Sequence, residues 1–122
     1  MDAIVDHLFV TGVLRTPAIL DAFRAVRREH FVLPEDWRSA EQDTPLPIGY
    51  GQTILQPTTV AIMLEWLEPL PGARVLDVGS GSGWTTALLA HIVGPEGIVT
   101  GIEVIPDLVA LGQQNLRKYN FP

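Results

Sequence analysis

Apolar residues recur along this chain with two different spacings, and the change between them falls near residue 72. Before that point intervals of three and four dominate, the mark of helices with one buried side. Val5, Leu8 and Phe9 predict a helix over residues 3–12 with all three on one side. Thr16-Pro17 is a helix start, with threonine as N-cap and proline in the first helical position, and Ile19, Ala22, Phe23 and Val26 continue the stripe. Val60, Met63, Leu64 and Leu67 form the buried side of another helix, which opens at Pro57 and ends near Pro69-Leu70-Pro71-Gly72. Between these helices, residues 33–56 carry Pro34, Pro45, Pro47, Gly49 and Gly51 and read as mostly irregular. A loop of that length inside a compact domain is usually functional or disordered.

After residue 72 the pattern shortens. Arg74–Val78 reads as a short buried strand, and Thr85, Leu88, Leu89 and Ile92 mark a helix. Gly94-Pro95-Glu96-Gly97 breaks that helix, Ile98–Ile102 is a second strand, and Pro106 opens a last helix containing Leu108, Leu111 and Leu116. Gly112 costs that helix about 1 kcal/mol relative to alanine, so packing is expected to hold it. Strand, helix and strand at this spacing predict a right-handed βαβ unit with parallel strands. The expected fold class is therefore α/β: a helical N-terminal half, then the first βαβα portion of a doubly wound, Rossmann-like sheet. One domain over 1–122 is expected, with a helical and loop region at 1–56 and the βαβα portion at 57–122.

Composition then excludes several function classes. The 122 residues suffice for one core, and 47% apolar content with a mean hydropathy of +0.23 argues against disorder. That hydropathy is high for a lone small domain and suggests surface covered by a partner. A net charge of −6 argues against a nucleic-acid backbone binder. Arg24, Arg27 and Arg28 read as the solvated C-terminal face of their helix. The absence of cysteine leaves no disulfide, thiolate metal site or Cys nucleophile, and is compatible with a reducing cytoplasm. His7, His30 and His91 are far apart, so no metal site is expected. No uncharged apolar stretch could span a bilayer, and Met1-Asp2-Ala3 lacks the basic start of a signal peptide.

The candidate chemistry sits at Val75-Leu76-Asp77-Val78-Gly79-Ser80-Gly81-Ser82-Gly83-Trp84. An apolar run ends in an acid, glycine follows at every second position, and an amphipathic segment begins. Glycine admits backbone angles that other residues resist and keeps side chains away from a ligand. The helix start offers free N–H groups. Asp77 suits a ligand ammonium or sulfonium and disfavours a pyrophosphate. With G-x-G-x-G in place of the dinucleotide G-x-G-x-x-G, the choice tips toward S-adenosylmethionine. Glu103 closes the second apolar run and can accept hydrogen bonds from two ribose hydroxyls. A plain strand–helix turn with Asp77 as a capping acid is the competing reading. Trp84 reads as core, although its ring is of the kind that can lean on a sulfonium.

With these residues in view, the chain resembles protein-L-isoaspartate O-methyltransferases, a class I S-adenosylmethionine-dependent family. Pro45-Leu46-Pro47-Ile48-Gly49-Tyr50-Gly51-Gln52-Thr53-Ile54-Leu55-Gln56-Pro57 is similar to the family's signature segment. Arg27-Arg28-Glu29-His30-Phe31-Val32 is similar to its earlier R-E-x-F-V stretch. Asp77–Gly83 and Gly101-Ile102-Glu103-Val104-Ile105-Pro106 look like its first two cofactor motifs.

The resemblance implies methyl transfer from S-adenosyl-L-methionine to the α-carboxylate of L-isoaspartyl residues in damaged proteins; the expected compartment is the cytoplasm. It implies cofactor contacts from Gly79, Gly81 and Glu103, and with Asp77, Ser80 and Gly83 of the same loop these make the candidate cofactor-binding set. It implies that the loop 48–57, with Ile54, Gln56 and Pro57, lines the substrate side, which makes 1–56 the expected substrate-side region. Where the family's T-I-S-Q-P carries a serine this chain has Leu55, which cannot donate a hydrogen bond; Thr53 could substitute, or could simply order its loop. The family also continues with further strands after its second cofactor motif, so the chain reads as truncated there. Two strands with a bare edge suggest a homo-oligomer. The competing functions are a catalytically impaired cofactor-binding module and a subunit completed by a partner.

Overall fold

The computed structural model describes residues 2–121. Helix α1 spans Asp2–Val10 and α2 spans Pro17–Ala25. Val5 and Leu8 are buried as expected, but Phe9 points outward. The chain leaves α1 through a Thr11-Gly12 turn, with the Thr11 hydroxyl donating to His7 O. Thr16 flanks the start of α2 without capping it through its own side chain. The buried Glu65 carboxylate instead ties down the segment entering the helix: it accepts the amides of Arg15 and Thr16, both at 3.0 Å, and the Thr16 hydroxyl at 2.6 Å.

The segment expected to be irregular is more ordered than its prolines and glycines suggest. Two 3-10 turns, Arg28–Phe31 and Pro34–Ser39, lead into an antiparallel hairpin of β1, Leu46–Gly49, and β2, Gln52–Ile54. Proline and glycine here shape a tight hairpin. Gly49, Tyr50 and Gly51 all have positive φ, at 90°, 58° and 72°. Two of the three are glycines, for which that region is open; Tyr50 adopts it against its own preference.

Helix α3, Pro57–Leu67, has its first turn anchored by Asp43, which accepts the Thr58 amide at 2.8 Å and the Thr58 hydroxyl. Its buried side is Val60, Ala61, Leu64 and Glu65, while Met63 and Leu67, expected inside, are exposed. Strand β3, Arg74–Val78, helix α4, Trp84–Val93, strand β4, Ile98–Ile102, and helix α5, Pro106–Leu116, follow in the expected order. β3 and β4 pair in parallel with Asp77 opposite Gly101.

α4 is the central helix. Trp84, Ala87, Leu88, Leu89 and Ile92 are buried where α4 packs between α2 and the β3–β4 sheet, and Phe23 meets the Trp84 ring edge-on at 5.7 Å. Burying each large apolar side chain contributes about 2–3 kcal/mol. Trp84 is thus a core residue. β3 is not a buried strand, however. Leu76 and Val78 are 59% and 72% exposed, and Ile98 and Ile102 lie beside them on the same open face. Only Val75, Asp77, Val99 and Gly101 turn toward the helices. Gly112 is buried where α5 crosses the glycine turn, 3.4 Å from where a Gly83 Cβ would stand. Its cost in helix propensity is met by that close approach.

Candidate functional site

Two walls face each other across a cleft of about 50 Å³. One is the glycine turn after β3, contributing Gly79, Ser80, Gly81 and Ser82, with Trp84 and Thr85 behind it. The other is the hairpin, contributing Ile48, Thr53, Ile54 and Leu55. The structure therefore brings the family-signature loop onto the glycine turn, although the two are far apart in sequence. The contact is close: a Cβ on Gly81 would lie 3.2 Å from Ile48 Cδ1. Gln56 and Pro57 stand apart from the cleft, at the cap and first residue of α3.

The turn is built from backbone bonds. The amides of Gly79 and Ser80 both donate to Ile102 O, at 2.8 and 3.0 Å, and the Gly83 amide donates to Ser80 O. Glu103 reaches back to the turn: one oxygen accepts the Gly81 amide at 2.9 Å, the other the Ile105 amide at 3.1 Å. The amides of Gly79, Ser80, Gly81 and Gly83 are therefore all taken within the protein and are not open to a ligand. The bonded amides hold the turn's shape, while Ile48 stands against Gly81 and Gly112 against Gly83. At Gly79, with φ at 75°, a Cβ would meet nothing within 4 Å. That open face is where a ligand can approach the backbone.

Asp77 faces the start of α4. Its Oδ2 accepts the hydroxyls of Thr85 and Thr86 at 2.6 and 2.7 Å. It ties strand end to helix start, as the capping alternative described, with Oδ1 left for a further donor. Gly83 caps α4 with φ at 97° and no side-chain bond, so the first helical amides have no cap from that residue. Asn115 of α5 donates to Ser82 O at 3.0 Å and fixes the far side of the turn.

Sequence reasoning placed Arg28 on a solvated face, and the structure overturns this. Arg28 has no exposed surface and lies in the core beneath the hairpin. Its helix ends at Ala25, so Arg28 falls in the following 3-10 turn, where the helical projection no longer applies. Burial pulls its pKa down to about 10, with Asp43 acting in the opposite direction. Tyr50 was also passed over. It stands exposed at the hairpin tip with a raised hydroxyl pKa, chiefly because of the negative charge of Asp107 at the start of α5. A Gly-Tyr-Gly run was the available signal, since flanking glycines mark a turn that needs positive φ.

A larger cavity of about 540 Å³ lies elsewhere, between α4, β4 and the aromatic pair Tyr119 and Phe121. It contains none of the glycine-turn or hairpin residues of the cleft. Among the described residues no group of His, Asp and Glu could hold a metal ion, and no helix is long and apolar enough to cross a membrane.

The chain matches the family model described as protein-L-isoaspartate(D-aspartate) O-methyltransferase over residues 1–121. A protein-L-isoaspartate O-methyltransferase of Aeropyrum pernix is 45% identical over 117 residues, which are 96% of this chain and 45% of that protein. One of Methanopyrus kandleri is 45% identical over 121 residues, 98% of this chain and 53% of that protein. The chain thus spans about half the length of the curated relatives it matches. Among solved structures, a Plasmodium falciparum chain assigned as a protein-L-isoaspartate O-methyltransferase, in complex with S-adenosyl-L-homocysteine, superposes with a TM-score of 0.85 at 27% identity. That match covers 97% of this chain and 55% of the other. The α/β architecture read from the sequence agrees with this neighbour.

Proposed function

We infer function from one premise: this chain belongs to the protein-L-isoaspartate(D-aspartate) O-methyltransferase family. On that premise it carries the donor side, and one wall of the acceptor side, of an isoaspartyl carboxyl O-methyltransferase. The observation that carries this reading is the hairpin seated on the glycine turn, with Glu103 bonded to the same turn.

The residues present fit S-adenosylmethionine. Gly79 offers an open backbone face, and Glu103 keeps lone pairs for two ribose hydroxyls beyond the amides it accepts. The cleft itself has room for about one or two waters, so an adenosyl group belongs on the open side beside Gly79. When bound, S-adenosylmethionine would supply a methyl carbon for attack by a carboxylate oxygen, the O–C bond forming as the S–C bond breaks and the sulfur leaving as the neutral thioether of S-adenosylhomocysteine, with no proton transfer. No general base is therefore required of this chain. Gly79, Ser80, Gly81 and Gly83 give the turn that receives the donor, and Asp77 places negative charge beside it. Thr53 can donate a hydrogen bond to an acceptor carboxylate. Leu55 cannot, and serves to exclude water, which strengthens the remaining electrostatics. Catalysis then rests on positioning two reactants in line. Residues 1–56 form the acceptor side, 57–122 the donor side, and the cytoplasm is the compartment where the protein acts on isoaspartyl-containing chains.

Calorimetric titration with S-adenosylhomocysteine, followed by methyl-ester formation on an isoaspartyl peptide, tests both halves of the reading. Leu55→Ser should raise turnover and leave the cofactor affinity alone. No nucleoside binding at millimolar concentration would sink the reading.

A second reading, self-association, is favoured by the open face of Leu76, Val78, Ile98 and Ile102, and by sheet edges unpaired among the described residues. Light scattering at micromolar protein that shows only monomer would remove it.

A further inference from the structure

Arg28 is a buried cation whose hydrogen bonds all go to carbonyl oxygens. Nη1 donates to Ala40 O at 3.0 Å and Gln42 O at 3.2 Å; Nη2 donates to Thr44 O at 2.6 Å and Leu55 O at 3.0 Å. The first three acceptors are alternate residues of the loop before β1. The fourth follows β2 directly. One guanidinium thus gathers both feet of the hairpin. Its Cζ also lies 5.4 Å from the centre of the Trp84 ring, and Trp84 is the first residue of α4 and part of the cleft. Neither Arg28 Nε nor Trp84 Nε1 has a hydrogen-bond partner among the described residues.

Keeping a cation in the core is costly unless its donors are met. An apolar side chain of similar size would fill the space but could not collect four carbonyls. The planar fork of arginine can, and the single ammonium of lysine cannot span the same set. We propose that Arg28 is the positioning residue of the acceptor wall. It holds residues 40–44 and 55 at a fixed separation, so that Thr53–Leu55 stand against the glycine turn. This rests on the reading above that the hairpin is the acceptor side. Asp43 extends the same framework by tying the loop to the first turn of α3.

Hydrogen exchange and two titrations on the full chain test the proposal. In Arg28→Lys the hairpin amides exchange at least about tenfold faster, while those of α4 and β3 change less than about twofold. Affinity for an isoaspartyl peptide falls at least about tenfold, and affinity for S-adenosylhomocysteine stays within about twofold. Arg28→Met shows the same split; where it does not fold, Arg28→Lys alone decides. Unchanged hairpin exchange, or equal acceleration at every amide, overturns the proposal, the second because Arg28 would then act on global stability alone. If the unsubstituted chain itself does not bind the peptide, the acceptor reading falls, and the exchange pattern still decides whether Arg28 holds the hairpin.

Discussion

The glycine turn is secured by residues of its own βαβα unit: Ile102 O, Glu103, Gly112 and Asn115 all lie within about one further strand and helix. The hairpin opposite is secured from outside itself, by Arg28 below and by the Ile48–Gly81 contact in front. A wall held by neighbours in sequence announces itself in spacing and glycine placement. A wall held by one distant side chain does not. The two should also fail differently, the turn by crowding and loss of acceptors, the hairpin by release of its anchor or relief of its tip.

The largest expected effect is on the turn. At Gly101 a Cβ would stand 2.9 Å from Thr86 Oγ1 and 3.0 Å from Ser80 Cβ. Gly101→Val should therefore destabilise by about 3 kcal/mol in urea unfolding, through overpacking between β4 and the turn. A loss below about 1 kcal/mol would show that the turn yields more easily than its bonds suggest.

Glu103→Ala comes next. It strips acceptors from the Gly81 and Ile105 amides and should cost about 2 kcal/mol of stability, as charge-assisted bonds do. Nucleoside affinity should weaken by about 1–3 kcal/mol in the same variant. Unaltered affinity would put the ribose elsewhere.

On the hairpin side, Tyr50→Gly should stabilise by up to about 1 kcal/mol, because Tyr50 holds a φ of 58° that glycine adopts freely. A lower melting temperature would instead mean that the ring contributes more than the backbone loses.

The smallest effect is a pH dependence at the anchor of the C-terminal segment. Tyr119 accepts the Arg27 amide and its hydroxyl is hydrogen-bonded to His30 Nδ1 at 2.7 Å. Burial, with Lys118 and Arg27 adding to it against Glu29, lowers the His30 pKa below its ordinary 6.5. A lowered folded pKa means that the unfolded chain binds the proton more readily. The contribution is thus complete above pH 6.5 and is lost as pH falls toward the folded value. Melting temperature followed from pH 7.5 to about 5 should show this slope, and His30→Gln should flatten it.

Much of the fold was legible. Helix starts at Pro17, Pro57 and Pro106, the βαβα order, and the facing of Trp84 all followed from proline position and period. Phe9, Met63 and Leu67 were not, because periodicity assigns a stripe without saying how wide the covering surface is. β3 read as buried because its apolar run promised cover on two faces, and the described residues cover only one.

The sequence by itself determined that residues 74–105 form strand, glycine turn, helix and strand with an acid at each strand end, because those features depend on local backbone freedom and alternation. Tertiary structure alone decided that the turn's amides are taken within the protein, that Asp77 is tied to α4, and that a buried arginine draws the hairpin over the turn. Those outcomes depend on which donors and acceptors are left unmatched once distant segments meet, a matter of three-dimensional proximity that no spacing along the chain records.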